Sequence, residues 1–246
     1  MRFGDFLTES FDSDFFFRQE AEKFANLLIS YVKNHAEDLD SYPRNRQTRG
    51  FVIEGTELNP RFKNLKIILG SSKQMGEIGD DSSVAAFFGT SKGFYVIGFY
   101  VLLGNYDTKY IDTRITGAKI NIIHEFTHYL DILRSVSRKK IKGSAKKAEK
   151  SMKEYYNSPE EFNAYYQEGL SNIYSLFLND KIPLHNKRQW LGNSIEDFLE
   201  MLGTLGFNED FLDELDNKYT RKLKKRIYDV YLHLKQLVKN SEDLTL

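Results

Sequence analysis

The chain of 246 residues balances 35 basic against 35 acidic side chains, a length that suits one sizeable domain or two small ones with a real core. The zero net charge lacks the basic field of a dedicated nucleic-acid binder, so no nucleic-acid partner is expected. With no cysteine, disulfides, thiolate metal sites and a cysteine nucleophile are excluded, and any metal has to be held by His, Asp or Glu.

In chain order, a short leader over residues 1–13 precedes a helix from Asp14 to about His35, where Phe17, Phe24, Leu27, Leu28 and Tyr31 recur at helical spacing. No secretory h-region is present, because Phe15, Phe16 and Phe17 are flanked by Asp12, Asp14 and Arg18. Residues 38–50, with Pro43, read as a loop. Short β-branched and aromatic runs follow at Gly50 to Ile53, Leu65 to Leu69, Ser83 to Phe88 and Phe94 to Leu103, separated by glycine-containing turns. Their rhythm predicts a small, mostly antiparallel sheet. The run Phe94 to Leu103 is the longest apolar stretch, and it falls well short of a membrane span; no membrane partner is expected.

Beyond Asn105 the pattern is helical: Thr116 to about Ser137, Pro159 to Leu178, Ser194 to Leu205, and Glu209 to about Lys239. From Arg138 to Lys153 the chain is strongly basic, with Glu149 as the single acid. That segment reads as a solvated loop or exposed helix, with a basic rim selecting acidic substrates as the alternative. The stretch Tyr219 to Val238 carries apolar residues at helical spacing that pack on the chain's own domain or, alternatively, on a partner helix. No repeat or linker divides the chain, so residues 14–246 are expected to form one domain of the α+β class with a helical C-terminal half.

The chemistry concentrates in NIIHEFTHYLDILR, Asn121 to Arg134. On a helix His124 and His128 lie one turn and about 40° apart, so both imidazoles can reach one ion. Glu125, about 100° away from His124, lies beside such an ion, where its carboxylate can take a proton from an attacking water. Asp131 falls on the histidine stripe and can accept the second N–H of an imidazole. Ile120, Ile123, Phe126, Leu130 and Leu133 supply the apolar surface that buries this helix.

Two histidines need a third ligand. In the pattern HExxHxxGxxH it falls six residues after the second histidine; here that position is Arg134, and the glycine position is Asp131, so this route fails. A second route draws a glutamate from a downstream helix, and YYNSPEEFNAYYQE, Tyr155 to Glu168, provides one. Ser158 is an N-cap, Pro159 sits at N1 and Glu161 at N3. Glu161 is the preferred ligand, because the small Ala164 one turn later permits a close helix approach; Glu160 and Glu168 are alternatives, and a capping box with Ser158 is the other role for Glu161.

HEFTHYLD followed by PEEFNAYYQE resembles the gluzincin zinc peptidases, including the catalytic domain of the anthrax-lethal-factor type, over about Phe94 to Leu178. The resemblance implies a zincin-like fold, a Zn2+ cofactor held by His124, His128 and Glu161, Glu125 as general base, and a peptide or protein substrate. It also implies a residue that stabilises the oxyanion: Tyr155 and Tyr156 are the candidates, with Tyr165, Tyr166 and His185 behind them. In zincins an edge strand binds extended peptide by β-addition; Phe94 to Leu103 reads as that strand or, equally, as a buried central one. Separately, MRFGDFLTES resembles the capsid-targeting leaders of T-even-like phages, with Leu7-Thr8-Glu9 as a processing site before Ser10; an amphipathic helix bearing Phe3, Phe6 and Leu7 is the plain account. The expected function is therefore a zinc metallopeptidase, phage-encoded and virion-packaged if the leader reading holds and cytoplasmic otherwise. The alternative is a non-catalytic virion or internal structural protein with a zincin-like fold.

Overall fold

The computed structural model describes residues 3–35, 51–70, 85–91, 94–100, 118–136 and 151–243. It contains helix α1 (Phe3–Asn34), strand β1 (Phe51–Glu54), helix α2 (Gly55–Leu58), strands β2 (Leu65–Gly70), β3 (Ala85–Ser91) and β4 (Phe94–Tyr100), and helices α3 (Lys119–Val136), α4 (Met152–Tyr156), α5 (Pro159–Phe177), α6 (Leu184–Leu191), α7 (Ile195–Glu200), α8 (Glu209–Glu214) and α9 (Asn217–Asp243). These elements make a mixed α and β protein that divides into two compact units, one of residues 19–140 and one of residues 1–18 with 141–246. Among the described residues, no helix is long and apolar enough to cross a membrane.

The unit of residues 19–140 is built on a four-stranded sheet in the order β1-β2-β4-β3. The β1/β2 and β3/β4 pairs are antiparallel and β2/β4 is parallel, so the sheet is small and mostly antiparallel. Strand alternation fixes its buried face: Ile53, Leu65, Ile67 and Ile97 are fully buried, while Lys66 on the other face reaches Glu54 at 2.8 Å. Helices α1 and α3 close the core with Ala21, Phe24, Ala25 and Leu28 and with Ile122, Ile123, Phe126 and Tyr129. Phe24 stacks on Phe126 at 3.8 Å between ring centres, and Phe62 meets both rings edge-on, a geometry that adds roughly 0.5–1.5 kcal/mol per pair to the area buried.

Strand β4 lies between β2 and β3, so the stretch beginning at Phe94 is a central strand and not the edge that would receive a substrate. Both of its sides are taken up by ladder hydrogen bonds. The burial of α3 also differs from the sequence reading. Ile122 and Tyr129 join Ile123 and Phe126 inside, Ile120 and Leu130 are partly buried, and Leu133, one turn past Tyr129, is half-exposed.

The other unit is a helical assembly with an aromatic core that includes Tyr156, Phe162, Tyr166, Phe198, Phe207, Phe211 and Tyr219. Helix α9 packs Tyr219, Leu223, Ile227, Val230, Leu234 and Val238 into that core, which places its apolar face on its own unit. The span from Glu209, expected as one helix, is two. Asp216 caps α9 by accepting from the amide of Tyr219 at 2.9 Å. The side chain of Asn157 holds the break open, donating to the Glu214 carbonyl and accepting from the Asp216 amide, each at 2.8 Å. Two helices not foreseen, α4 and α6, flank α5. Helix α4 is only five residues long and is held by a reciprocal box between Ser151 and Glu154.

Gly169 and Gly206 set close contacts around Phe207 and Asn172 in this unit. A Cβ on Gly169 would lie 2.5 Å from the ring of Phe207, which rests flat on α5 at that point. Gly206 has φ +98, a left-handed conformation that ends the turn after α7 and delivers Phe207 to the helix. A guanidinium organises the polar interior. Arg226 donates from Nε to Asp14 at 2.7 Å and through both terminal nitrogens to Asn163, and it lies 3.6 Å over the Tyr166 ring. Nearby, Arg18 covers the Tyr174 ring at 4.1 Å, and the Tyr174 hydroxyl hydrogen-bonds His233 Nδ1 at 2.8 Å. The lone tryptophan, Trp190, meets Phe177 edge-on at 5.9 Å.

Candidate metal centre

Helix α3 presents its histidines because its apolar row is anchored. Ile122, Ile123, Phe126 and Tyr129 bury one side, and Thr127 Oγ1 returns its proton to the Ile123 carbonyl at 2.8 Å. His124 and His128, one turn apart, then stand with ring centres 5.1 Å apart and planes at 77°. His124 is buried, at 7% exposure. Glu125 follows it on the half-buried side of the helix, and Asp131, also half-buried, comes three residues after His128.

The N-terminus of α5 fixes Glu161 in a comparable way. Ser158 Oγ accepts from the Glu161 amide at 3.3 Å and Pro159 occupies the first turn. The cap at α5 is thus the serine hydroxyl, and the Glu161 carboxylate lies with the two imidazoles. One ligand atom each from His124, His128 and Glu161 falls within 4.8 Å of the others, a group that could hold a metal ion. A tetrahedral ion with bonds of about 2.0–2.1 Å sets its ligand atoms roughly 3.3 Å apart. Two imidazole nitrogens and one carboxylate oxygen make a donor set that suits a divalent transition metal.

The neighbouring glutamates and aromatics separate by surroundings. Glu160 is exposed, and Glu168 faces Tyr156 and Tyr165. Burial first, and then the charge of Glu161, push the Tyr155 phenol well above its usual range. Tyr156 is buried at 3% exposure, edge-on to Tyr165 at 5.0 Å and to Phe211 at 5.9 Å. Tyr166 is engaged by Arg226 in the interior, and His185 is exposed on α6. The basic segment from Arg138 lies outside the described residues until Ser151.

The chain was compared with known proteins, and no family model, curated protein or solved structure matches it.

Proposed function

We propose that this chain is a zinc-dependent peptidase of the gluzincin kind. The observation that carries the reading is the group formed by His124, His128 and Glu161 within 4.8 Å, with a glutamate directly after the first histidine on the same helix. Chance pairs of histidine are common on helices, whereas a carboxylate delivered to them by a capped second helix is a specific arrangement. A bound zinc would supply a Lewis acid that polarises the scissile carbonyl and acidifies water towards a pKa of about 7.

The residues of the chain divide the remaining work. Glu125 takes the proton of the attacking water and passes it to the leaving amine. His124, His128 and Glu161 hold the ion. An extended peptide would add to β3, because β3 ends the strand order among the described residues and lies against α3 in the same unit. This role passes to β3 from β4, which is enclosed on both sides.

The test is metal content by mass spectrometry on wild type, His124→Ala and Glu161→Ala, together with a peptide-library screen using Glu125→Gln as the inactive control. The expected outcome is about one zinc in wild type, loss in both ligand variants, and cleavage by wild type alone. Zinc bound without cleavage of any peptide, and unfolding on its removal, would instead favour a structural metal. A wild type free of metal would overturn the reading.

A further inference from the structure

Charge is segregated in the helical unit. From Gln189 to Asn217 there are eight acids and no Lys or Arg, and from Lys218 to Lys239 Asp229 is the single acid among eight Lys and Arg. On α9 the exposed Lys218, Arg221, Lys224, Lys235 and Lys239 fall within about 120° of arc at the helical repeat, and Asp229 lies outside that arc. Tyr228 and Leu232, 46% and 48% exposed, stand one turn apart in the middle of this basic stripe. The opposite side of α9 is the one packed into the core.

The acids make a second face beside the first. Helix α7 packs on α9, with the rings of Phe198 and Tyr231 5.5 Å apart. Glu196 and Glu200, both exposed, lie on the side of α7 away from the buried Phe198. A Cβ on Gly203 would lie 3.3 Å from the Glu209 side chain, so the exposed acids of α8, Glu209, Asp210 and Asp213, begin at the turn that ends α7. Among the described residues, none of these acids and none of the cations named above is in an ion pair. The two faces are opposite in sign, adjacent, and unpaired within the chain.

A surface that sets a positive strip beside a negative one matches a copy of itself turned about a two-fold axis, because each strip then meets its opposite. Tyr and Leu ringed by charge have the anatomy of a protein interface, whereas a polyphosphate would engage the cations and leave Leu232 in water. Size favours pairing through both faces: one helix face of roughly 30 Å by 10 Å is under half of the about 800 Å² that each partner gives to a stable interface. We propose that two copies of this chain pair about a two-fold axis, the basic stripe of α9 in each lying against the acidic face of α7 and α8 in the other, with Tyr228 and Leu232 covered at the contact. This inference is independent of the metal centre.

The experiment is sedimentation equilibrium of the full chain at about 0.05 M and about 0.5 M salt, which screen exposed charges weakly and strongly. It is run on wild type, on Arg221→Glu with Lys235→Glu, on Glu200→Lys with Asp213→Lys, and on an equal mixture of the two double variants, with circular dichroism to confirm folding. Wild type is expected to dimerise at low salt and to dissociate at least tenfold more readily at high salt. Each double variant alone is expected to be monomeric, and the mixture to pair again, because both contacts then regain opposite charges. Should a reversed variant fail to fold, Tyr228→Ser with Leu232→Ser decides, its expected effect being at least a tenfold weaker dimer. A wild type that stays monomeric at about 100 μM, a dimer unchanged by either reversal, or a mixture that does not pair overturns the proposal. A monomeric wild type that binds a DNA oligonucleotide with steep salt dependence would reassign the stripe to a polyanion.

Discussion

Two carboxylates, Asp14 and Glu161, sit in polar clusters that both touch the first turns of α5, and they are compensated differently. Asp14 is met by the guanidinium of Arg226, which also holds Asn163 and covers Tyr166. Glu161, two residues before Asn163, lies with two imidazoles. The first cluster carries its cation within the chain. The second gathers donors that suit an external one. One helix terminus thus touches a finished ion pair and a group that could hold a metal ion.

The comparison can be broken at either end. The largest expected effect is Glu125→Gln, which should lower peptide cleavage by about 10²- to 10⁴-fold as general-base catalysis is lost, while zinc content stays at the wild-type level; an active variant would sink the assigned role. Next, Arg226→Met strands Asp14, whose side chain is 14% exposed, and should cost about 3–5 kcal/mol in denaturant unfolding. Pairing it with Asp14→Leu should recover much of that loss and leave zinc affinity unchanged, because this cluster is closed on itself. A fall in zinc affinity in the double variant would mean the two clusters are not separate.

A smaller effect is expected at Asn157. Replacing it with Ala removes the bonds to Glu214 and Asp216, worth roughly 1 kcal/mol each. The same change should loosen α4, visible as a loss of amide protection in residues 152–156 measured by hydrogen exchange.

The smallest effect concerns pH. Burial, and then the charge of Arg18, lower the His233 pKa in the folded state. The unfolded chain therefore binds this proton first as pH falls. Stability from His233 is fully present above the unfolded value of about 6.5 and declines as pH drops below it. His233→Gln should flatten the unfolding free energy between about pH 7 and 5; an unaltered slope would remove His233 as a contributor.

Much of this arrangement is legible in the residues themselves. The span of α3, the capped start of α5 and the positions of the strands follow local patterns, although the buried stripe of α3 is turned so that Ile122 and Tyr129 lie inside and Leu133 does not. What escaped was non-local. The central place of β4 depends on a parallel pairing with β2, which no local pattern encodes. The break between α8 and α9 is set by Asn157, more than fifty residues earlier, and the partner of Arg226 lies 212 residues away. Within the candidate site, the two histidines follow from helical spacing, whereas the choice of Glu161 over Glu160 and Glu168 depends on how α5 is turned. That rotation is set by Phe162, Tyr166, Leu170 and Ile173 seeking the core.

Trp190 gives the molecule an optical asymmetry. As the only indole in the chain, lodged against Phe177 on the helical side, it makes fluorescence a reporter of one unit, while far-ultraviolet circular dichroism averages over helices in both. Unfolding curves from the two signals that superimpose would reveal a single cooperative transition, and curves that separate would reveal two.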